Sequence, residues 1–547
     1  MASLNPISGT LGRRRAAHLL RRATFGPSKQ EINQFASLTA DQAIAQLFQV
    51  PTAPPPPSDT ATGLPWVTPK PTEANSEDFE LRRYVNCWWL EQMKVSGGNS
   101  CEKLTFFWHT HFTTKQSLVG STRMYYQNAL LRYYALGNFR DLTKNICLDN
   151  AMLRFLDGRL NDKNNPNENF ARELLELYTI GKGPQIGPEN YTNYTETDVR
   201  EAARVLSGYE DDNDFLNPDI VTGIPMGIVK SNGLMAATAH DATPKNFTNP
   251  FPDTTIIPNQ MVGEDATVDA TLDELDQLLN MIFGQAETAR HLCRKFYRFF
   301  MYYEITTEIE QDIIEPLANT FRSNNYEVQP VLQQLFRSQH FYDADNALVD
   351  DDNHGAIIKS PLDLVMGTLR FFEINLPDSN TDLAGFYDAA ASGILAPMQQ
   401  QGLDLYEPFE VAGYKAYHQF PGYNRNWISE NNLARRYQYS DLLLEGEQRG
   451  WGFWMDTVAY VDNPQHISDP ANAQTLLQEL VDDLFPEIIT QERFDYFLND
   501  ILLDGLSMAN WSTEWFAYKS SGDNSAVKSQ LDSLFRALLQ SPEYQLK

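Results

Sequence analysis

The chain has few basic side chains and few cysteines. Against 72 Asp and Glu residues there are 43 Lys and Arg residues, which gives the 547-residue chain a net charge of −29. Such a charge repels phosphate backbones, so we expect no nucleic-acid partner. The four cysteines, Cys87, Cys101, Cys147 and Cys293, contain no Cys-x-x-Cys pair, and this spacing indicates neither a zinc knuckle nor a disulfide framework.

Long apolar runs and several well-known motifs are also missing. No stretch approaches the roughly 18 to 20 apolar residues of a membrane-spanning helix, so we expect no membrane span. The basic first 22 residues are not followed by the apolar run of a secretory signal, and we expect no export signal of the chain's own. The glycine motifs of nucleotide-binding loops and the signatures of serine hydrolases and zincins do not occur, which argues against a nucleotide cofactor.

The dominant pattern is helical. Apolar residues recur at intervals of three and four through most of the chain, whereas alternating runs are few and short. We predict a mainly α protein, a large multi-helix globular fold with a Pro-rich linker and one irregular, hairpin-containing insertion. The predicted parts are an N-terminal helical unit (1–50), the extended linker (51–76), a helical bundle (77–209), the insertion (210–265) and a C-terminal helical region packed on the same core (266–547).

The densest cluster of potential metal ligands is the pair His109 and His111. In an extended segment, residues i and i+2 face the same side and can chelate one ion. On a helix the two rings would lie about 200° apart, so chelation requires the chain to leave the helix near His109. The alternative is one core histidine bonded to the backbone and one histidine at the surface.

A second cluster lies on a helix predicted over residues 167–180. There Asn169, Glu173 and Glu176 fall on one stripe, which brings two carboxylates and an amide side by side. Such a pair can bind a divalent metal ion or work as paired acid and base. The alternative is a solvated helix face on which Arg172 forms an ion pair with Glu168 or with Glu176.

A third candidate is His240 followed by Asp241, with Lys245 close behind, inside the insertion. Loops carry functional residues more often than their share, and a neighbouring carboxylate can orient a histidine that binds metal or carries a proton. The alternative is an ordinary surface histidine.

Several segments together resemble a large bacterial family, the domain-of-unknown-function family numbered eighteen hundred. The segments that carry the resemblance are residues 18–26, 102–112, 167–177, 194–204, 240–245, 359–361, Trp427, 434–435 and 541–544. The family has no established reaction. The long insertion and residues 422–427 depart from its fullest pattern, which leaves the wall of any pocket undefined.

The resemblance implies that the three clusters share one site. In this reading His109, His111, Glu173 and Glu176 are ligands of a divalent metal, while Glu173, Glu176, His240 and Asp241 are catalytic groups. The resemblance also implies a protein partner, because members commonly accompany a family that looks like the alkaline phosphatase and sulfatase superfamily. Such a partner often has an export signal, so the chain is expected at the cell surface by co-export or, alternatively, in the cytoplasm.

Two functions follow as expectations. The first is a metal-dependent hydrolase or modifying enzyme that acts on an extracytoplasmic polymer, protein or glycan. The second is a non-catalytic assembly or chaperone-like subunit of an exported complex, with helical faces and aromatic side chains used for protein contacts. A third reading, glycan binding, needs exposed aromatic side chains, for which Trp66, Trp88 and Trp451 are the candidates.

Overall fold

The computed structural model confirms a mainly α protein. It describes residues 2–67, 78–188, 190–233, 235–252, 254–345, 354–446 and 453–547. Within these ranges no helix is both long enough and apolar enough to cross a bilayer.

The first half of the chain contains twelve described helices, of which the last follows the long insertion and the others precede it. They are α1 (Gly12–Ala23), α2 (Lys29–Ala36), α3 (Ala40–Leu47), α4 (Asp78–Val95), α5 (Cys101–His111), α6 (Gln116–Val119), α7 (Ser121–Tyr133), α8 (Phe139–Cys147), α9 (Asn150–Phe155), α10 (Asn169–Glu173), α11 (Glu196–Val205) and α12 (Val268–Phe283). A π-helical turn, Leu174–Tyr178, continues α10.

The described part of the second half is also mainly helical. Its helices are α13 (Ala286–Phe300), α14 (Thr307–Ile309), α15 (Glu315–Ser323), α16 (Val328–Phe336), α17 (Pro361–Phe371), α18 (Leu383–Ala390), α19 (Ala396–Gln400), α20 (Lys415–His418), α21 (Glu430–Leu444), α22 (Thr457–Asp462), α23 (Ala473–Leu484), α24 (Gln491–Asp495), α25 (Met508–Ser521) and α26 (Ser525–Leu539). Further π-helical turns are Glu310–Ile314, Ala391–Leu395 and Tyr496–Leu502.

The insertion contains more hairpins than the sequence indicated. Its strands form antiparallel pairs of two residues each, and one further pair precedes them. The pairs are β1 (Gln185–Gly187) with β2 (Asn190–Tyr191), β3 (Tyr209–Glu210) with β4 (Ile228–Val229), β5 (Lys245–Asn246) with β6 (Thr255–Ile256), and β7 (Met261–Val262) with β8 (Asp265–Ala266). Strands this short produce no detectable alternation of apolar and polar residues, which is why the pattern predicted one hairpin.

Helix starts follow the capping signals in the sequence. Thr39 and Thr195 each accept a hydrogen bond from the third helical residue, whose side chain bonds back to the threonine, and so form capping boxes for α3 and α11. Ser360 and Asp363 form the same arrangement at the start of α17. Capping residues in the sequence therefore predict where a helix begins more reliably than where it ends.

One apolar core runs through the molecule, from Leu11 at the N-cap of α1 to Tyr544 near the end of the chain. The described part of the predicted linker contributes to it. Trp66 is buried, and Trp88 in α4 donates from its indole N–H to the carbonyl of Pro55 at 2.8 Å. The proline-rich segment is therefore pinned to the helical body over residues 55–67.

Helix α5 is buried along its whole length, polar residues included. Glu102 accepts two hydrogen bonds from Arg132 in α7, at 2.7 and 2.8 Å, and one at 2.8 Å from the indole of Trp89 in α4. Buried charges are tolerated when they are paired and fully hydrogen-bonded. This arrangement ties α4, α5 and α7 together by directional contacts.

Replacing Glu102 by Leu tests that pair. We expect a loss of about 3–5 kcal/mol in unfolding free energy, because Arg132 would remain buried without its counter-charge. Thermal and denaturant melts measure the loss. The control Lys528→Ala breaks the half-exposed Lys528–Asp532 pair and should cost less than about 1 kcal/mol. Adding Arg132→Met to the Glu102→Leu variant should restore most of the stability. Equal losses of stability in Glu102→Leu and Lys528→Ala would contradict the importance of the buried pair.

Candidate functional site

A cleft opens between α5, α13, the start of α17 and the segment 412–427, and we call it the central cleft. Its space amounts to about 50 Å³, which is room for a few water molecules or one small group. Its wall combines aromatic and ionisable side chains. The lining residues include His111 from α5, Lys295 and Arg298 from α13, Asp363 from α17, His418 and Tyr423 from the 412–427 segment, and Lys547.

The π-helical turn after α10 supplies two backbone acceptors beside this cleft. The end of a helix leaves carbonyl groups without intrahelical partners, and π-helical turns occur often at functional sites. Here the carbonyl of Leu177 accepts from Lys295 at 2.7 Å, and that of Tyr178 contacts Nε2 of His111 at 3.0 Å. The π-helical turn thus contacts α5 and α13 through its backbone carbonyl groups.

The contacts of His111 define its tautomer. Nε2 faces a carbonyl oxygen, which only accepts, so Nε2 carries the proton and donates to Tyr178. Burial, together with nearby Lys295, lowers the pKa of His111 well below its usual range. The ring is therefore neutral, and its Nδ1 is an acceptor that lies 3.1 Å from Nζ of Lys295.

Lys295 is held by two acceptors, the carbonyl of Leu177 and Nδ1 of His111. An amine nitrogen has four bonding positions, of which one is its carbon and two are hydrogens donated to these acceptors. The fourth holds either a proton or the lone pair. No carboxylate pairs with Lys295 among the described residues, and burial lowers the pKa of its ammonium to about 7. Near neutral pH, the fourth position is thus a lone pair in a substantial fraction of molecules.

Arg298 follows Lys295 by one helical turn and also lines the cleft. Its Nε donates to the carbonyl of Tyr303 at 3.4 Å, and the guanidinium lies 5.3 Å from the ring centre of Tyr423. In the part of the chain that the structure describes, Arg298 has no carboxylate partner.

Asp363 is the acidic residue of the cleft wall. It accepts from Lys103 and, at 2.6 Å, from Lys547. Burial alone would raise the pKa of Asp363, but these two ammonium groups hold it well below its usual range. The same carboxylate lies within electrostatic range of three further buried cations, Arg22, Lys359 and Arg436.

The two histidines of the His-x-His pair face different surroundings. Helix α5 continues through His111, so the requirement for chelation, an end of the helix near His109, is not met. His109 instead packs among the rings of Trp89, Tyr406 and Tyr414. Both of its ring nitrogens lack a hydrogen-bond partner among the described residues, and burial lowers its pKa to about 3.

The two glutamates of α10 and its π-helical turn form a separate half-buried group. Glu176 pairs with Lys182 at 2.5 Å and accepts from the hydroxyl of Tyr194 at 3.2 Å. Burial and then the charge of Glu176 raise the pKa of Glu173 to about 7. The predicted ion pair of Arg172 with Glu168 is present at 3.2 Å.

His240 is in the interior, with none of its side chain exposed. Its Nδ1 donates to the carbonyl of Ser207 at 2.9 Å, and its Nε2 lies 2.8 Å from the carboxylate of Glu274, which also accepts from Lys245. Glycine is required beside it, because a Cβ on Gly208 would meet the backbone nitrogen of His240 at 2.8 Å. A substrate has no access to this imidazole in the described conformation.

The remaining sequence candidates take structural positions. Asp241 pairs with Arg204 at 2.7 Å and caps the following turn through Thr243. Trp66 and Trp88 are buried, so neither offers an exposed face for a glycan, and Trp451 lies outside the described residues.

The structure does not assemble the metal site implied by the resemblance. His109 and His111 point to different sides of α5, and neither contacts Glu173 or Glu176. Over the described ranges, no group of three or more His, Cys, Asp and Glu side chains is arranged to hold a metal ion. The four residues therefore do not fit one shared ion in this conformation.

Lys295, Arg298 and Asp363 were not singled out by the sequence. Lys295 does leave a signal, because it follows buried Leu292 by three residues and precedes buried Phe299 by four. A charged residue inside an apolar helical stripe must find a partner or a solvent-filled cleft.

Comparison with known proteins identifies the family of the chain but assigns no activity to it. The family model described as "Protein of unknown function (DUF1800)" matches residues 18–546. The chain belongs to this family. No curated protein and no solved structure matches the chain.

The variant Glu173→Gln tests whether the pKa of Glu173 is raised in the folded protein. Since the pKa of Glu173 is raised in the folded state, the ionised form costs stability, and the cost grows as the pH rises from about 4.5 to 7. With allowance for partial solvent exposure, the variant should exceed the wild type by about 1 kcal/mol at pH 8 and match it below about pH 4. Thermal melts across this pH range measure the difference, and a variant less stable at pH 8 would contradict the assignment.

His109→Leu tests whether His109 serves only as a core side chain. Because neither ring nitrogen has a partner in the described structure, an apolar replacement should leave the melting temperature unchanged or raise it, by up to about 1 kcal/mol in stability. His111→Leu is the matched comparison, and it should destabilise the protein because the Tyr178 carbonyl loses its contact with the imidazole and Lys295 keeps only one of its two acceptors. Equal destabilisation of both variants would show that His109 has a polar partner.

Proposed function

We propose that the protein is an enzyme of the hydrolase or modifying class and that Lys295 is its proton-accepting group in the central cleft. The observation that carries the proposal is the geometry at Nζ of Lys295. Two acceptors occupy two of its hydrogens, no carboxylate in the described chain neutralises it, and the amine lines an open cleft. A titratable group in such a cleft is a candidate for acid–base chemistry.

The neighbouring groups support the same role. His111 is neutral with a defined tautomer and orients the lysine as an acceptor. The lowered pKa of Lys295 places its proton transfer near neutral pH, where a general base is most effective. His418, which also lines the cleft, lies 3.2 Å from the carboxylate of Glu410 and is a second group able to carry a proton there.

Small-reagent labelling tests the amine without a known substrate. Reductive methylation with formaldehyde requires the unprotonated amine, so its rate follows the titration of each lysine. We expect labelling of Lys295 to reach half its maximum near pH 7, whereas exposed Lys519, paired with Asp462, should still gain reactivity above pH 9. Peptide mass spectrometry gives both rates in one sample. A Lys295 rate that follows that of Lys519 would overturn the proposal.

Activity measurements use the same pair of lysines. Once a screen of hydrolytic substrates yields a turnover, Lys295→Met should lower kcat by about 100-fold or more, and Lys519→Met should leave it unchanged. Retained activity in a folded Lys295 variant would exclude Lys295 as the base.

A divalent metal is a separate proposal, since no step above uses one. Glu173 and Glu176 are the only two of the four proposed ligands that lie next to each other in the described structure. Elemental analysis of the purified protein beside a Glu173→Gln, Glu176→Gln double variant tests it. One equivalent of metal that the double variant loses would support a site at this pair.

The assembly-subunit function has its own support at the insertion. The long loop between β3 and β4 exposes Leu216, Ile220 and Val221, and the side chain of Ile220 is 98% accessible. Contiguous exposed apolar side chains mark protein contacts more often than isolated ones do. We propose that this surface binds the co-exported, sulfatase-like partner. Co-purification of that partner with the wild type, but not with an Ile220→Ser, Val221→Ser double variant, would support the proposal.

A further inference from the structure

The central cleft has an excess of positive charge inside a strongly acidic protein. Lys295 and Arg298 lie one turn apart on α13, and neither has a carboxylate partner in the described part of the chain. The other two arginines of this helix are paired: Arg290 with Glu315, and Arg294 with Glu287 and Glu310. The unpaired cations are thus those that line the cleft.

The acidic residue of the cleft wall, Asp363, does not offset this excess. Asp363 is already shared by Lys103 and Lys547, so it is not available to neutralise the cations of α13. Among the described residues, neither Lys295 nor Arg298 therefore has a counter-charge in the cleft.

Buried cations that lack counter-charges are costly unless a ligand supplies the charge. Arg298 can offer a pair of parallel N–H groups that matches the two oxygens of an oxyanion, and Lys295 adds a positive charge beside it when it is protonated. Aromatic side chains, including Tyr423 and Trp427, also line this cleft. The small volume of the cleft suits one compact group.

We infer that the central cleft binds an oxyanion group of the substrate, a phosphate, sulfate or carboxylate, through Arg298 with Lys295 beside it. The inference rests on the proposed function, because it names the class of substrate on which that enzyme acts. An anionic group next to Arg298 would place the neighbouring substrate atoms against the amine of Lys295. Arg298 is then a binding residue and Lys295 the group that moves the proton.

Anion binding to the full-length protein tests the inference directly. The probes are inorganic phosphate, sulfate and acetate, titrated by calorimetry at constant ionic strength with chloride as the background anion. We expect one site with the wild type, and affinity lower by about tenfold or more in Arg298→Gln. Arg290→Gln removes the same charge from the same helix outside the cleft and should bind as the wild type does. The strongest of the three probes identifies the class of oxyanion.

A second measurement needs no variant. A bound oxyanion beside Lys295 should slow its reductive methylation at saturating probe concentration, while the labelling of Lys519 stays the same. This result holds even if Arg298→Gln fails to fold. Arg298→Lys, which keeps the charge but loses the paired N–H groups, should show intermediate affinity.

The outcomes separate the two proposals. Absence of binding by all three anions, or binding that is unchanged in a folded Arg298→Gln variant, overturns the oxyanion site while leaving the reactive amine of Lys295 to be judged by its own titration. Conversely, oxyanion binding with a Lys295 that titrates like Lys519 keeps the binding site and removes the catalytic role.

Discussion

The structure depends on matching the charges that lie on one buried helix. Helix α5 has no exposed face, yet it carries Glu102, Lys103, His109 and His111. Each of the first two takes an opposite charge from a different helix, Arg132 in α7 and Asp363 in α17. Because an unmatched charge in the interior costs several kcal/mol, these pairs constrain which helices can surround α5.

The cleft follows from the same constraint. His111 takes its partner from the backbone end of the π-helical turn after α10 and so leaves Nδ1 to accept from Lys295. Asp363, bound to Lys103 and Lys547, forms the opposite wall. The packing of α5 therefore determines both the walls of the cleft and the hydrogen bonding of the Lys295 amine within it. The same residues thus contribute to the stability of the fold and to the proposed chemistry.

Buried polar groups elsewhere show that similar residue types serve structure alone. His240, Glu274 and Lys245 have the chemistry of a catalytic group, but their side chains have no exposed surface. Glu274 lies in an apolar stripe of α12 beside Leu275 and Leu278, as Lys295 does in α13. What distinguishes the two clusters is access to solvent, since one is enclosed by the insertion and the other lines a cleft.

By itself the sequence determined the helical class, the helix starts at capping boxes such as those of Thr39 and Thr195, and the family. These features are local: helical periodicity and capping depend on residues three or four positions apart. It also pointed to His111, but through a chelate with His109 that the continuation of α5 rules out. Only the tertiary structure decided that Lys295, Arg298 and Asp363, far apart in the chain, share a cleft with His111, because contacts between distant helices depend on the packing of the whole core.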